Sequence, residues 1–585
     1  MAIVHVSDDA ISRDSELGTT PLLQHDTVNG AVDFKGRPAI RSQSGYWRSA
    51  CFIIGVEVGE RIAFYGIGSN LITFLTGPLQ ESTATAAKNV NIWQGTASLL
   101  PLLAAFIADS FLGRYLIIVG ASLVYILGLG MLTLSAMLSS ATISECKPET
   151  KLASCSPKFH ITILFFFSLY LVAIGQGGHK PCVQAFGADQ FDNHHPKERN
   201  ARSSFFNWWY LTMAAGCLLT LSFLNYIQEN LSWVLGFGIP CLVMLVGLLV
   251  FLFGTKTYRF PNEGNKKKSP FVRIGRVFAK AIRNRRINTL SDIAIKDEAC
   301  DMVTHQRSKQ FKFLNKALLT PKGSKDEEAC SVSEVEEVKA IFRLVPIWAT
   351  SLVFGIVYAQ VRTFFTKQGV NMDRTVYPGF VIPAASLQSL VTLAIVIFSF
   401  IYDRMFVPIA RAITKKPSGI TMLQRIGTGI FLSIITVVMA ALLEMKRLEI
   451  AIEFDLVDKP NAIVPMSVWW LIPQYFLFGV AEVFTMVGLQ EFFYDQMPDE
   501  LRSMGLALYL SVIGMGSFLS SFLVFVIEEI TRKEDGRSGW FNDNLNQAHI
   551  DYFYGLLAVL SVIGLILFIF NAKSYIYIQK GIARG

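Results

Sequence analysis

The stretch Glu57-Val58-Gly59-Glu60-Arg61-Ile62-Ala63-Phe64-Tyr65 places two carboxylates and one guanidinium inside an otherwise apolar run. At about 100° per residue on an α-helix, Glu57, Glu60 and Arg61 share one face, and Tyr65 extends that face by a turn. Two acids against one base leave one acid without a full partner. Burial disfavours an ionised carboxylate and a neighbouring cation favours it. Such a trio can therefore take up and release a proton as its pairing changes. A static buried ion pair that holds helices together is the plainer alternative, but two acids flanking one base is an odd way to build it.

Further charges stand in apolar surroundings. The segment Gly175-Gln176-Gly177-Gly178-His179-Lys180-Pro181-Cys182 combines glycines that permit close helix approach with a proline that predicts a kink. Lys180 needs an anion there, either Glu57, Glu60 or an anionic group on a bound solute. Adjacent helical residues face different ways, so His179 is expected to point away from the partner of Lys180. A proton-carrying role is its alternative. Glu482, isolated in Phe478-Gly479-Val480-Ala481-Glu482, needs a partner on another helix or a wet cavity. In Tyr358-Ala359-Gln360-Val361-Arg362, Tyr358 and Arg362 are four apart and share a helix face. Arg362 either faces a cavity with Arg61 and Lys180, which favours an anion, or reaches out to headgroups at a membrane edge.

These residues need helices that cross a bilayer. The 585 residues are 52% hydrophobic and only 17% charged, with mean hydropathy +0.42, and the apolar residues gather into long runs. Roughly 20 such residues cross the hydrocarbon core as a helix. Spans are predicted near 47–75, 92–113, 115–137, 161–186, 205–226, 233–254, 340–366, 379–402, 421–444, 467–493, 502–527 and 553–571. Twelve spans divide six and six, giving a polar N-terminal tail (1–45), one bundle (46–255), a linker (256–339), a second bundle (340–572) and a C-terminal tail (573–585). The polar, charged residues Met1–Gly45 do not read as a cleavable signal peptide. The linker holds 19 Lys/Arg and 11 Asp/Glu. Its basic run reads as cytosolic topology plus an amphipathic helix on the inner leaflet, rather than as a nucleic-acid site. Both termini are then cytosolic. Among eight cysteines, only Cys146 and Cys155 share a short polar loop that could carry a disulfide.

Six plus six around a long loop is the layout of the major facilitator fold, an all-α membrane architecture in which two bundles rock around a central cavity. Ala108-Asp109-Ser110-Phe111-Leu112-Gly113-Arg114 sits in the turn between spans two and three, and Tyr402-Asp403-Arg404 in the equivalent turn of the second half. Asp109, Arg114, Asp403 and Arg404 are candidates for a conformational latch. The joint pattern of Glu57-x-x-Glu60-Arg61, Gly177-Gly178-x-Lys180-Pro181, Phe186-Gly187-Ala188-Asp189-Gln190-Phe191 and Phe205-Phe206-Asn207-Trp208-Trp209-Tyr210 resembles the proton-coupled oligopeptide transporter family. Leu344-Val345-Pro346-Ile347-Trp348-Ala349 and Leu471-Ile472-Pro473-Gln474-Tyr475 are similar to its plant nitrate and peptide branch. The likeness covers residues 45–575. It implies proton symport by alternating access, with the Glu57, Glu60, Arg61 and Lys180 cluster coupling protons. In that likeness Tyr65 would line the pocket and Glu482 would bind the solute or gate the second bundle; with Lys180, Tyr358, Gln360 and Arg362 they are the candidate solute contacts, although related sequences mostly carry a small neutral residue at the Arg362 position. Members carry nitrate, short peptides, hormones and other plant metabolites, so the family does not fix the solute.

Other classes fit less well. An enzyme would need a nucleophile, a metal set or a catalytic acid pair, and no histidine–carboxylate cluster has that spacing, so neither catalysis nor a cofactor is expected. A solute-sensing receptor would not need titratable residues in both bundles. An uncoupled anion uniporter could use the same positive cavity. The expected partners are a small solute, protons and the bilayer, in the plasma or vacuolar membrane. The loose acidic dileucine pattern Glu16–Leu23 would favour the vacuolar one.

Overall fold

The structure, a computed structural model, describes residues 27–144, 159–192, 195–261, 270–286, 311–318, 330–415, 420–460, 462–497, 502–531, 539–575 and 577. The candidate Cys146–Cys155 disulfide and the dileucine pattern lie outside the described residues. The first half contains helices α1 (Tyr46–Gly68), α2 (Thr83–Ile107), α3 (Arg114–Ser144), α4 (Phe159–Ala188), α5 (Pro196–Leu219) and α6 (Trp233–Phe253). A linker helix α7 (Pro270–Arg283) follows. The second half contains α8 (Val332–Gln360), α9 (Ser389–Ile401), α10 (Met422–Glu453), α11 (Ile472–Asp495), α12 (Arg502–Thr531) and α13 (Ile550–Ser574).

Among the described residues, eleven helices, some with continuous extensions, are long and apolar enough to cross a membrane. Of the twelve predicted spans, α1 is the one that falls short, because Glu57, Glu60 and Arg61 stand within its 23 residues. Helix starts follow local chemistry. Ser331 with Glu334 and Thr421 with Gln424 form reciprocal capping boxes at α8 and α10. Ser232 accepts from the Val234 backbone N–H at the start of α6. Several helices outrun their apolar stretch. α5 begins at Pro196, so Lys197, Arg199 and Arg202 sit in its first turns and not in a loop.

Within the first half α4 packs on α3 and α2, and α1 packs on α6, α5 and α4. Within the second half α8 packs on α12 and α13, and α11 on α10 and α9. The halves meet where α2 lies against α12 and α5 against α9. Glycines set these approaches. A Cβ on Gly175, Gly177 or Gly178 would come within 2.6–2.7 Å of Tyr125, Leu100 or Ala121, so α4 sits closer to α2 and α3 than any larger residue allows. Two wide π-helical turns, Ala108–Leu112 and Tyr402–Phe406, occupy corresponding places in the halves.

On the linker side, part of the predicted polar tail is ordered. Strands β1 (Thr27–Val32), β2 (Pro38–Ile40) and β3 (Phe260–Pro261) form an antiparallel sheet in the order β2-β1-β3. Behind it Arg259, 2% exposed, pairs with Glu198 at 2.7 Å, and Arg41 pairs with Glu198 and Asp192 at 2.7 and 2.8 Å. Part of the apolar side of the basic helix α7 is covered by protein. Val277 and Ala281 pack on Leu314, Ala317, Val335 and Val338, while Arg273 and Arg276 pair with Glu337 and Glu334 at 2.9 and 2.5 Å.

The glycine contacts generate a paired prediction. A Cβ on Gly355 would lie closer than 3.0 Å to the Val512 carbonyl of α12, whereas one on Gly120 meets nothing within 4 Å. Overpacking costs roughly 1–3 kcal/mol. Gly355→Val should therefore lower the melting temperature of the detergent-solubilised protein by several degrees, and Gly120→Ala should leave it unchanged.

Candidate functional site

The charged face of α1 turns into the first bundle, where Glu57, Glu60 and Arg61 are each no more than 3% exposed. Arg61 Nε lies 3.0 Å from Glu57 Oε1, and Arg61 Nη2 lies 2.5 Å from Glu60 Oε2. One guanidinium is thus held between two carboxylates, the trio that the spacing predicts. α4 supplies two more groups, seated by its close approach at Gly177 and Gly178. Lys180 is half-buried and, among the described residues, no carboxylate comes within 4.0 Å of it. Glu60 and Glu57 are the acids whose charge reaches it. His179 corrects the expectation. It does not turn away: it is fully buried, with Nδ1 3.9 Å from Glu57 Oε2. α4 runs unbroken through Pro181, so both neighbours lie close enough to the α1 acids to feel them.

A small cavity of about 60 Å³ lies between the bundles. Tyr65 and Leu221 line it from the first half; Tyr358, Arg362, Gln388, Thr392, Phe478 and Glu482 line it from the second. Four candidates from three distant segments, Tyr65, Tyr358, Arg362 and Glu482, therefore share one wall system. Arg362 is 6% exposed and does not reach a membrane edge. Its Nη1 donates to Gln94 Oε1 at 2.6 Å, and its guanidinium stands 5.3 Å from the ring centroids of both Phe64 and Tyr65. Both interactions cross from one bundle to the other. Arg362 is the cation whose charge acts on Glu482. Gln360 faces elsewhere. Its Nε2 donates to Ser520 Oγ at 2.9 Å and to the Ile356 carbonyl at 2.8 Å, and it does not line the cavity.

The latch candidates divide. Arg114 pairs with Asp189, at the end of α4 in the same bundle. Arg404 lies over the Phe400 ring at 5.9 Å. The side chains of Asp109 and Asp403 lie outside the described parts. Polar contacts that join the bundles concentrate on the side away from the linker. Lys88 pairs with Glu528 at 2.6 Å, Arg374 with Glu229 at 2.9 Å, and the Thr83 backbone N–H donates to Asp543 at 2.7 Å. Lys367 donates to Thr76 Oγ1 at 3.0 Å, and Gln388 to the Ser69 carbonyl at 2.8 Å. Gln94, Gln388 and Thr392 escape a reading of the sequence, because a neutral polar residue in a helix carries no signal of where it points. Asp189 stands in a recognisable motif, but nothing in that motif names Arg114 as its partner. Among the described residues, no three His, Cys, Asp or Glu side chains are grouped to hold a metal ion.

The sequence profile of the POT family matches residues 115–541. Protein NRT1/PTR FAMILY 5.10 of Arabidopsis thaliana is 61% identical over 545 residues, covering 93% of this chain and 96% of its own length. Protein NRT1/PTR FAMILY 5.16 of the same plant is 57% identical over 557 residues, covering 95% and 97%. The crystal structure of an auto-inhibited POT family peptide transporter superposes with TM-score 0.68 at 20% identity, over 91% of this chain and 98% of that one. At that identity the likeness is one of fold.

The buried trio makes its own prediction. Removing one member of a buried pair strands the other charge at a cost of about 3–5 kcal/mol. Arg61→Ala should lower the melting temperature of the purified protein at neutral pH. Adding Glu57→Gln and Glu60→Gln to that variant should recover part of the loss. A single variant as stable as the parent would show that the guanidinium does not hold the acids.

Proposed function

We propose that this chain, which belongs to the POT family, is a secondary transporter that moves a small anionic or peptide-like solute together with protons by alternating access. The observation that carries the reading is a division of labour. Titratable groups are buried in the first bundle around Arg61, and the cavity is lined mainly by the second. Charges at membrane depth persist only where they are paired or face water. The Arg61 trio is paired, and Glu482 faces the cavity. Tyr65, one helical turn beyond Arg61, lines that cavity and thereby connects the two regions.

In this reading α1 crosses the membrane as the twelfth span, the linker and both termini are cytosolic, and the bundles are closed on the outer side. Protonating Glu57 or Glu60 releases part of the hold on Arg61, which is then free to re-pair as the bundles rock. Lys180 trades partners with the same acids. A cation in a low-dielectric cavity attracts an anion more strongly than it would in water, so Arg362 favours an anionic solute or a carboxylate end. The same residue supports a second reading, uncoupled anion uniport across the vacuolar membrane. Uptake measured at varied pH with the voltage clamped separates the two.

Two experiments test the proposal. Glu57→Gln and Glu60→Gln should each abolish accumulation driven by a pH gradient while surface abundance stays normal. Concentrative uptake by both variants would remove the proton assignment. Hydrogen bonds to a charged group contribute about 1.5–3 kcal/mol, roughly ten- to a hundredfold in affinity. Arg362→Ser should accordingly raise KM for nitrate by that order while changing uptake of a neutral solute little. Parallel losses for both solutes would leave the anion preference without support.

A further inference from the structure

We propose that His179 is a second proton-bearing residue of the α1 site, exchanging a proton with Glu57 through the carboxylate oxygen that Arg61 does not hold. This rests on the proton-coupled reading and names a residue outside the charged trio. The two oxygens of Glu57 are treated differently. Oε1 lies within ion-pair distance of Arg61 Nε, at 3.0 Å, whereas Oε2 faces His179 Nδ1 at 3.9 Å and has no hydrogen-bond partner among the described residues. Both nitrogens of His179 are buried and without a hydrogen-bond partner there as well.

A core histidine with only a structural task satisfies at least one ring nitrogen, because an orphaned buried polar atom carries its full desolvation cost. Two orphaned nitrogens beside an orphaned carboxylate oxygen instead describe a donor and an acceptor that meet in another state. The gap exceeds an ordinary hydrogen bond by about 1 Å. The proposed transfer requires the two side chains to approach by that distance. Tyr125 Oη and Gln176 Oε1, also buried and unpartnered, extend the polar nest on α3 and α4.

The charges around the imidazole are few. α1 presents Glu57, Glu60 and Arg61, α3 presents Tyr125, and Lys180 follows on α4 itself. α2 contributes the apolar Leu100 beside Gly177. Arg61 and the burial of the ring oppose positive charge on it, and the Glu57 carboxylate 3.9 Å away favours it. The transfer is balanced. The O–H bond on Glu57 Oε2 breaks as an N–H bond forms on His179 Nδ1, so an acid and a neutral imidazole become a carboxylate and an imidazolium. The reverse step returns the proton. The consequence is that Glu57 regains its charge for Arg61 while the proton stays inside the bundle.

The test uses the full chain with ¹⁵N-labelled histidine, and the His179 resonances are identified as those absent in His179→Gln. In the parent protein, acid pH should give His179 protonated on both nitrogens; in Glu57→Gln at the same pH it should remain neutral. In proteoliposomes, with nitrate and dialanine as probes, His179→Gln should lose accumulation driven by a pH gradient yet keep solute counterflow, which needs no net proton transfer. A His179 signal identical in the parent and Glu57→Gln overturns the inference, as does parental pH-driven accumulation by His179→Gln. Should His179→Gln fold poorly, His179→Asn serves both for the assignment and for the uptake comparison. Accumulation by Glu57→Gln would instead overturn the coupling reading, so the two failures are distinguishable.

Discussion

A single guanidinium clasped by two carboxylates at the centre of an apolar bundle constrains everything around it. Charges taken out of water carry a desolvation cost of several kcal/mol each, which only close pairing offsets. Arg61, Glu57 and Glu60 meet that condition at 3.0 and 2.5 Å, but with one acid in excess. The packing of α4 follows from the same need. Its glycines draw it against α2 and α3, and that brings His179 and Lys180 to the acids. A bulkier residue at those glycines would push the α4 cation away from the carboxylates that balance it.

The second bundle meets this centre through Arg362. Its guanidinium lies over Phe64 and Tyr65 and is bonded to Gln94, so a residue of α8's end is anchored on α1 and α2. Movement of one bundle relative to the other must alter these contacts. The links on that side include partly exposed ones such as the Lys88–Glu528 pair, whose side chains are 21% and 27% accessible. Exposed ion pairs contribute roughly 0–1 kcal/mol each. A closure built from several such contacts can be undone and remade, unlike the interior of either bundle, which is sealed by helix-on-helix packing.

The linker side is organised differently. There Arg259 binds Glu198 and Ser44 in a buried cluster, and the β1–β2 hairpin joins the strand that follows α6. The hairpin and the first bundle thus form one body. α7 is fixed in the same way to the start of α8 through Arg273 and Arg276. The amphipathic pattern of α7 was legible in the sequence, but its destination was not. An apolar helix face is the same whether lipid or protein covers it, and here Leu314, Ala317, Val335 and Val338 do.

Where local chemistry alone decides, the sequence determined the outcome. Long apolar runs can satisfy their backbone in a bilayer only as helices, so the spans could be located along the chain, although α2 and α5 start, and α10 ends, nine residues beyond the predicted boundary. The 3.6-residue period put Glu57, Glu60 and Arg61 on one face, and a fixed spacing of four made Tyr358 and Arg362 neighbours. The tertiary structure decided what depends on the rotation and depth of separate helices. It placed His179 against Glu57 although Lys180 stands beside it in the chain, and it paired Arg114 with Asp189 at the end of α4. It also turned Gln360 toward Ser520 and Arg362 toward Gln94 and the cavity. Sequence periodicity gives the angle of a side chain about its own helix axis. It cannot give the angle of that helix relative to its neighbours, which is set by the packing of glycines and rings across several helices at once.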